Sequence, residues 1–202
     1  MTKLLLPASA VLALLSAPAQ AQFSDGYRFL EAVKKKDGQK VEEAVSEPGS
    51  TLINTRDFST GETALHIVTA RRDMTWLRYL ASKGANVNVR DGRGQSPLQL
   101  ATNLGWVEGV EFLVQSKADL DQANNTGETP LISAVHRKNT ELMRILLKGG
   151  ANPDRADNSG RSARDYALLE GAGSVVATTI TQYGKAKGVG AAKSGPVYGP
   201  TF

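Results

Sequence analysis

Apolar residues recur along this chain in two alternating clusters separated by polar turns. The first cluster is short: Leu65 with Val68, Leu98 with Ala101, and Leu131 with Ala134. The second is longer and bulkier: Trp76-Leu77 with Tyr79-Leu80, Val110 with Phe112-Leu113, and Leu142-Met143 with Ile145-Leu146. Both keep the three- and four-residue spacing of one helical face, so each pair of clusters predicts a short helix followed by a longer one. Breaks near Arg72 and Asp73, at Gly105, and at Lys138 and Asn139 separate the two helices of a pair.

The pairs are in phase. Gly61, Gly94, Gly127 and Gly160 stand at one constant interval, and they open the phrases Gly-Glu-Thr-Ala-Leu-His, Gly-Gln-Ser-Pro-Leu-Gln, Gly-Glu-Thr-Pro-Leu-Ile and a decayed Gly-Arg-Ser-Ala-Arg-Asp. Before each later glycine lies Asp91-Gly92-Arg93, Asn124-Asn125-Thr126 or Asp157-Asn158-Ser159. An Asp or Asn that bonds its own turn and a glycine that accepts positive φ predict a β-like hairpin finger. Two residues after each glycine, Thr63, Ser96, Thr129 or Ser162 offers a hydroxyl to the free N–H groups of a starting helix, and Pro97 and Pro130 follow at the first helical position. The second helix ends at Gly84 and Gly150, which suit a left-handed C-terminal cap; the middle unit places Lys117 there instead.

A fixed period of this size means stacked supersecondary units. The phrase Thr129-Pro130-Leu131 and the late phrase Gly84-Ala85-Asn86-Val87-Asn88 resemble the ankyrin repeat, in register over residues 61 to 183. The resemblance implies a mainly α ankyrin-repeat solenoid of helix-turn-helix units joined by β-hairpin fingers, and a binding role. The repeats would run 61–93, 94–126 and 127–159, with a C-terminal cap at 160–183. Tyr27 to Val45 reads as two helices, Tyr27 to Lys36 and Gln39 to Val45, divided at Asp37-Gly38. They belong to an N-terminal capping unit over 22–60, whose finger has one extra residue, Asp57 to Gly61 against Asp91 to Gly94. The C-terminal cap places Arg164, Asp165, Thr178 and Thr179 where apolar residues stood, which predicts a polar outer face.

The segment 1–21 follows a different logic. Lys3 precedes an apolar run from Leu4 to Leu15, and Ala19-Gln20-Ala21 supplies the small-x-small pattern read by signal peptidase. That run is shorter than the roughly 20 residues needed to span a bilayer, so residues 1–21 are expected to be a cleaved signal peptide and Gln22 the mature start. No later segment is apolar enough to cross a membrane. The expected location is therefore outside the cytoplasm, periplasmic in a Gram-negative host, and the lack of cysteine is compatible with export.

Charge adds little. The formal net charge is +4, but Lys3 lies in the leader and Lys185, Lys187 and Lys193 in the tail, which leaves a neutral body. Nucleic acid is not an expected partner. From 184 to 202 the chain turns to Gly, Lys and Pro, and is expected to be a flexible tail.

Catalytic chemistry finds no foothold. There is no cysteine nucleophile and no spacing that suggests a Ser-His-Asp set. His66 falls where ankyrin repeats often carry a histidine that bonds neighbouring turns. The finger acids Asp57, Asp91, Asp121 and Asp157 recur because the turns want them. No metal-binding spacing occurs, so no catalytic residue, metal or cofactor is expected.

The resemblance implies that fingertips and first helices line a concave groove where partners bind. Carried onto this sequence, the expected protein-contact residues are Arg56, Phe58, Glu62, Ala70 and Arg71, then Arg90, Arg93, Gln95, Asn103, Leu104 and Trp106, then Asn125, Glu128, His136 and Arg137. Five arginines among them suggest an acidic contact on the partner. The expected function is a non-enzymatic, monomeric protein-interaction scaffold in the cell envelope. An alternative is a structural envelope component tethered by its tail, with Lys185, Lys187 and Lys193 touching anionic material and Tyr198 and Phe202 as anchors.

Overall fold

The computed structural model describes residues 17–184 apart from residue 48, with side chains described from Asp25 onward. The described residues form five helix pairs: α1 (Ala17–Lys35) with α2 (Gly38–Ser46), α3 (Ala64–Ala70) with α4 (Met74–Ser82), α5 (Pro97–Asn103) with α6 (Val107–Gln115), α7 (Pro130–His136) with α8 (Thr140–Gly149), and α9 (Ala163–Leu169) with α10 (Val175–Tyr183). The first helices α1, α3, α5, α7 and α9 pack in that order, as do the second helices α6, α8 and α10. One apolar core runs through the stack, with Leu65, Leu98 and Leu131 at 0–1% exposure on the first helices and Leu77, Leu113 and Leu146 fully buried on the second.

Helix starts follow the sequence signals. The hydroxyls of Ser96, Thr129 and Ser162 accept from the N–H groups of Gln99, Ile132 and Asp165. At Thr63 the hydroxyl instead meets His66 Nδ1 at 2.9 Å. The break at Asp37-Gly38 is present, with Asp37 capping α2. Helix α1, however, begins at Ala17 rather than near Tyr27. The sequence there, Ala17-Pro18-Ala19-Gln20-Ala21, consists of strong helix formers with a proline that the first turn tolerates.

Three further features depart from the expectation. The fingers close with a hydrogen bond, Asp91 N–H to Gln95 O at 2.8 Å and Asn124 N–H to Glu128 O at 3.0 Å, yet form no strand among the described residues beyond an isolated bridge between Ala156 and Ser162. The turn donors are taken by side chains: Asp91 Oδ1 accepts from Arg93 and Gln95 N–H. The first finger closes one residue later, Asp57 N–H to Glu62 O, as its extra residue requires. In the last unit the turn between helices is longer, with α10 capped by Ser174, so α10 slips out of the phase of the repeat while α9 keeps it. The outer face of that unit is not wholly polar: Leu168, Leu169 and Val175 are exposed, whereas Thr179 is buried and donates to Val175 O.

Lys117 adopts φ +63°, matching Gly84 at +89° and Gly150 at +101°. Its N–H and that of Ala118 bond Val114 O and Leu113 O, the same cap made by Gly150 and Ala151 on Leu147 O and Leu146 O. A non-glycine residue there carries a steric penalty, so Lys117→Gly should raise stability by up to about 1 kcal/mol in urea denaturation.

Candidate functional site

The fingers are tied to one another by a hydrogen-bonded ladder. Gly92, Asn125 and Asn158 donate their N–H groups to Thr60 O, Arg93 O and Thr126 O of the preceding finger, at 2.8, 3.1 and 3.2 Å. The side-chain amides of Asn125 and Asn158 repeat the link one residue over, to Gly92 O and Asn125 O. This ladder explains the glycines beyond their turn geometry. A Cβ on Gly94 would lie 2.8 Å from the backbone nitrogen of Asn125, and one on Gly127 would press still closer on that of Asn158. Gly160, with no finger after it among the described residues, has nothing within 4 Å.

His66 joins two units. It is fully buried, its Nδ1 accepts the Thr63 N–H at 3.1 Å, and Nε2 lies 2.9 Å from Gln95 O in the next finger. A ring that accepts at Nδ1 carries its proton on Nε2, so the second contact is a donation to the carbonyl. Burial pushes the His66 pKa down, which favours this neutral form. Two of the finger acids, Asp57 and Asp157, are held in the charged form: hydrogen bonds led by the hydroxyls of Ser59 and Ser159 lower them to about 2.

Much of the predicted contact set is engaged in the same structural work. Arg56 Nε donates to Gly61 O, and Arg90 donates to Gly94 O at 2.9 Å and to Asn125 Oδ1 at 3.1 Å. Arg71 donates to Val33 O and Lys34 O at 2.8 and 3.1 Å, capping the carbonyls that end α1. Gln95 and Leu104 contribute their carbonyls, the latter to Arg72 Nη2 at 2.6 Å. Asn103 is half-buried at the end of α5.

Trp106 is a correction. It is 6% exposed, a core residue, because its indole lies over Gly109, where a Cβ would fall 2.6 Å from the ring atom Cζ3 and nearer still to two others. It cannot meet a partner.

What remains exposed lies on the face formed by fingers and first helices. Phe58 is 94% exposed at the first fingertip, and Arg93 and Arg137 are exposed in the next two units. Glu62 is half-buried under Thr60, which donates to it. Glu128 Oε1 lies 3.1 Å from His136 Nδ1, and that ring meets Tyr166 edge-on with centroids 4.5 Å apart. The face extends one unit further than the repeat phrases suggest: Arg161 and Leu169 stand one full period after Glu128 and His136, both exposed, at positions that the repeat spacing itself marks. Tyr27, exposed on α1, carries no repeat signal. Lys185, Lys187, Lys193, Tyr198 and Phe202 lie outside the described residues.

Other chemistry is sparse among the described residues. No group of three metal-ligating side chains occurs, and no helix is long and apolar enough to cross a membrane. A cavity of about 460 Å³ opens between α4 and α6, lined by Arg78, Ala81, Val87 and Phe112, away from the finger face.

Stacked helix pairs with hydrogen-bonded fingers define a helical-repeat protein. The chain belongs to the ankyrin-repeat family: it matches the family's three-copy repeat pattern over residues 29–124 and 108–185. Ankyrin repeats make protein–protein interaction scaffolds, and the family is generally non-enzymatic. Over 76 residues the chain is 33% identical to oxysterol-binding protein homolog 2 of Saccharomyces cerevisiae, a stretch covering 36% of this chain and 6% of that protein. The similarity therefore spans a small part of that relative's length.

Proposed function

We propose that this chain is an exported, non-enzymatic scaffold that holds a protein partner against the concave face of its fingers and first helices. One observation carries the reading: Phe58, Arg93 and Arg137 are exposed on that face in three successive units, and among the described residues no hydrogen bond or ion pair engages either guanidinium. Arginine and aromatic side chains left unspent by the fold are the types that dominate protein interfaces. The arginines favour a partner with carboxylates at the contact. Export rests on Lys3, the Leu4–Leu15 run and Ala19-Gln20-Ala21.

The test is the triple substitution Phe58→Ala, Arg93→Ala and Arg137→Ala, with the protein and its partner recovered from the envelope fraction. Partner recovery should fall at least tenfold with the melting temperature within about 2 °C of wild type, since surface changes away from packed features cost little. Intact mass of the same preparation should place the mature start at Gln22. Undiminished recovery would remove the concave face from the account. Arg71 and Arg90 are unsuitable for this experiment, because each holds a neighbouring unit in place.

A further inference from the structure

The last unit is unfinished on its outer side. Thr69, Thr102 and Val135 occupy one position of the first helix in three successive units, one period apart, and are buried to 0, 0 and 2% by the unit that follows. Leu168 stands at the same position of α9 and is 51% exposed. Its neighbours Leu169 and Val175, either side of the α9–α10 turn, are 71% and 68% exposed. A solenoid end that kept to the polar rule would not place a leucine here.

The chain that continues from α10 has the length to reach this face, and its sequence returns to the period of the earlier units although α10 itself does not keep it. Gly184 lies against Pro153 at the root of the fourth finger, where a Cβ would meet the proline Cγ at 3.2 Å. In the earlier units one fixed length of chain leads from the left-handed cap of the second helix to the start of the next first helix: Gly84 to Pro97, Lys117 to Pro130, Gly150 to Ala163. Gly184 ends α10 at φ −84°, without the left-handed cap of the earlier units, but it stands the same number of residues before Val197, and Pro196 beside it falls two full periods after Pro130. Pro196-Val197 thus echoes Pro97-Leu98 and Pro130-Leu131, whose leucines are both fully buried. Tyr198 and Phe202 follow at a spacing of one helical turn. At roughly 3.3 Å per residue the segment from Gly184 to Val197 could span ~40 Å, well beyond the ~14 Å length of α10 that it must retrace.

We propose that residues 185–202 of this chain cover the outer face of the α9–α10 pair, placing Val197, Tyr198 and Phe202 against Leu168 and its exposed neighbours. Gly195 stands where Ser162 and Thr129 cap their helices, and Gly199-Pro200 interrupts the helical register. The segment is a cover and not a fifth repeat. Its apolar residues are then spent on the chain itself and are not free to anchor it elsewhere.

The absence of cysteine makes the test direct. In the full chain, Leu168→Cys is combined in turn with Val197→Cys, Tyr198→Cys and Phe202→Cys, and Glu108→Cys on α6 replaces Leu168→Cys in control pairs. A disulfide requires Cα atoms within about 7 Å, so a docked segment should close at least one Leu168 pair about tenfold faster than its control, within a monomer. Closure at the control rate for all three overturns the proposal, and so does a predominance of disulfide-linked dimers, which would assign the face to a second copy. A second measurement uses no cysteine: Val197→Asp, Tyr198→Asp and Phe202→Asp together in the full chain should speed amide exchange in α9 and α10 at least tenfold and leave α3 unchanged. Unaltered exchange in α9 and α10 likewise overturns the proposal.

Discussion

Trp106→Ala should lower the melting temperature by on the order of 10 °C, since emptying a buried tryptophan site costs about 3–5 kcal/mol and a folded body of this length converts each kcal/mol into about 2–4 °C. The size of the effect comes from an exchange between two positions of the repeat. In the first unit Asp73 caps α4 and Trp76 stands three residues on; in the third, Asn139 caps α8 and Leu142 stands three residues on. The second unit reverses the roles: Trp106 occupies the cap position without a side-chain cap, and Gly109 leaves space for its ring. The double change Trp106→Asn with Gly109→Leu restores the third unit's arrangement, and it should recover most of what Trp106→Ala loses. If Trp106→Ala melts with wild type, the indole is not holding the second unit together.

Gly127→Ala should cost on the order of 2–3 kcal/mol in urea denaturation, and Gly160→Ala only about 1 kcal/mol. Both glycines sit in the same conformation, φ +81° and +80°, so the left-handed penalty is common to them. They differ in what comes next. The Gly127 Cβ would collide with the backbone of Asn158, which also donates to Thr126 O, so the fourth finger must move away or lose that bond. Gly160 faces no following finger among the described residues. Equal costs for the two substitutions would show that turn conformation alone keeps these glycines, and that the stacked fingers tolerate a methyl group between them.

The contrast between those two glycines shows what the sequence could and could not convey. Their period, the Ser and Thr caps and the left-handed position at Lys117 were legible because each is a local requirement of one turn or one helix end. The finger ladder was not legible, since it joins residues about a whole repeat apart through backbone groups that every sequence possesses. The contact surface suffered for the same reason. Arg56, Arg71 and Arg90 read as free because the carbonyls that occupy them belong to turns and helix ends brought close only by folding and stacking. Trp106 read as exposed because its register places it beside Leu104 at the end of α5; the space left by Gly109, three residues later, turns it inward. Leu168 was hidden by the opposite error, since a cap was expected to be polar and its one apolar register position went unnoticed.

Site-specific photocrosslinking in the native envelope tests the central claim most directly. A photoreactive residue is placed at Arg93 or Arg137 on the concave side, and at Glu108 or Glu111, exposed on α6, as the control. The account predicts that Arg93 and Arg137 capture the same single protein, identified by mass spectrometry, and that the α6 positions do not. Capture of that protein from Glu108 and Glu111, with none from Arg93 or Arg137, would contradict it.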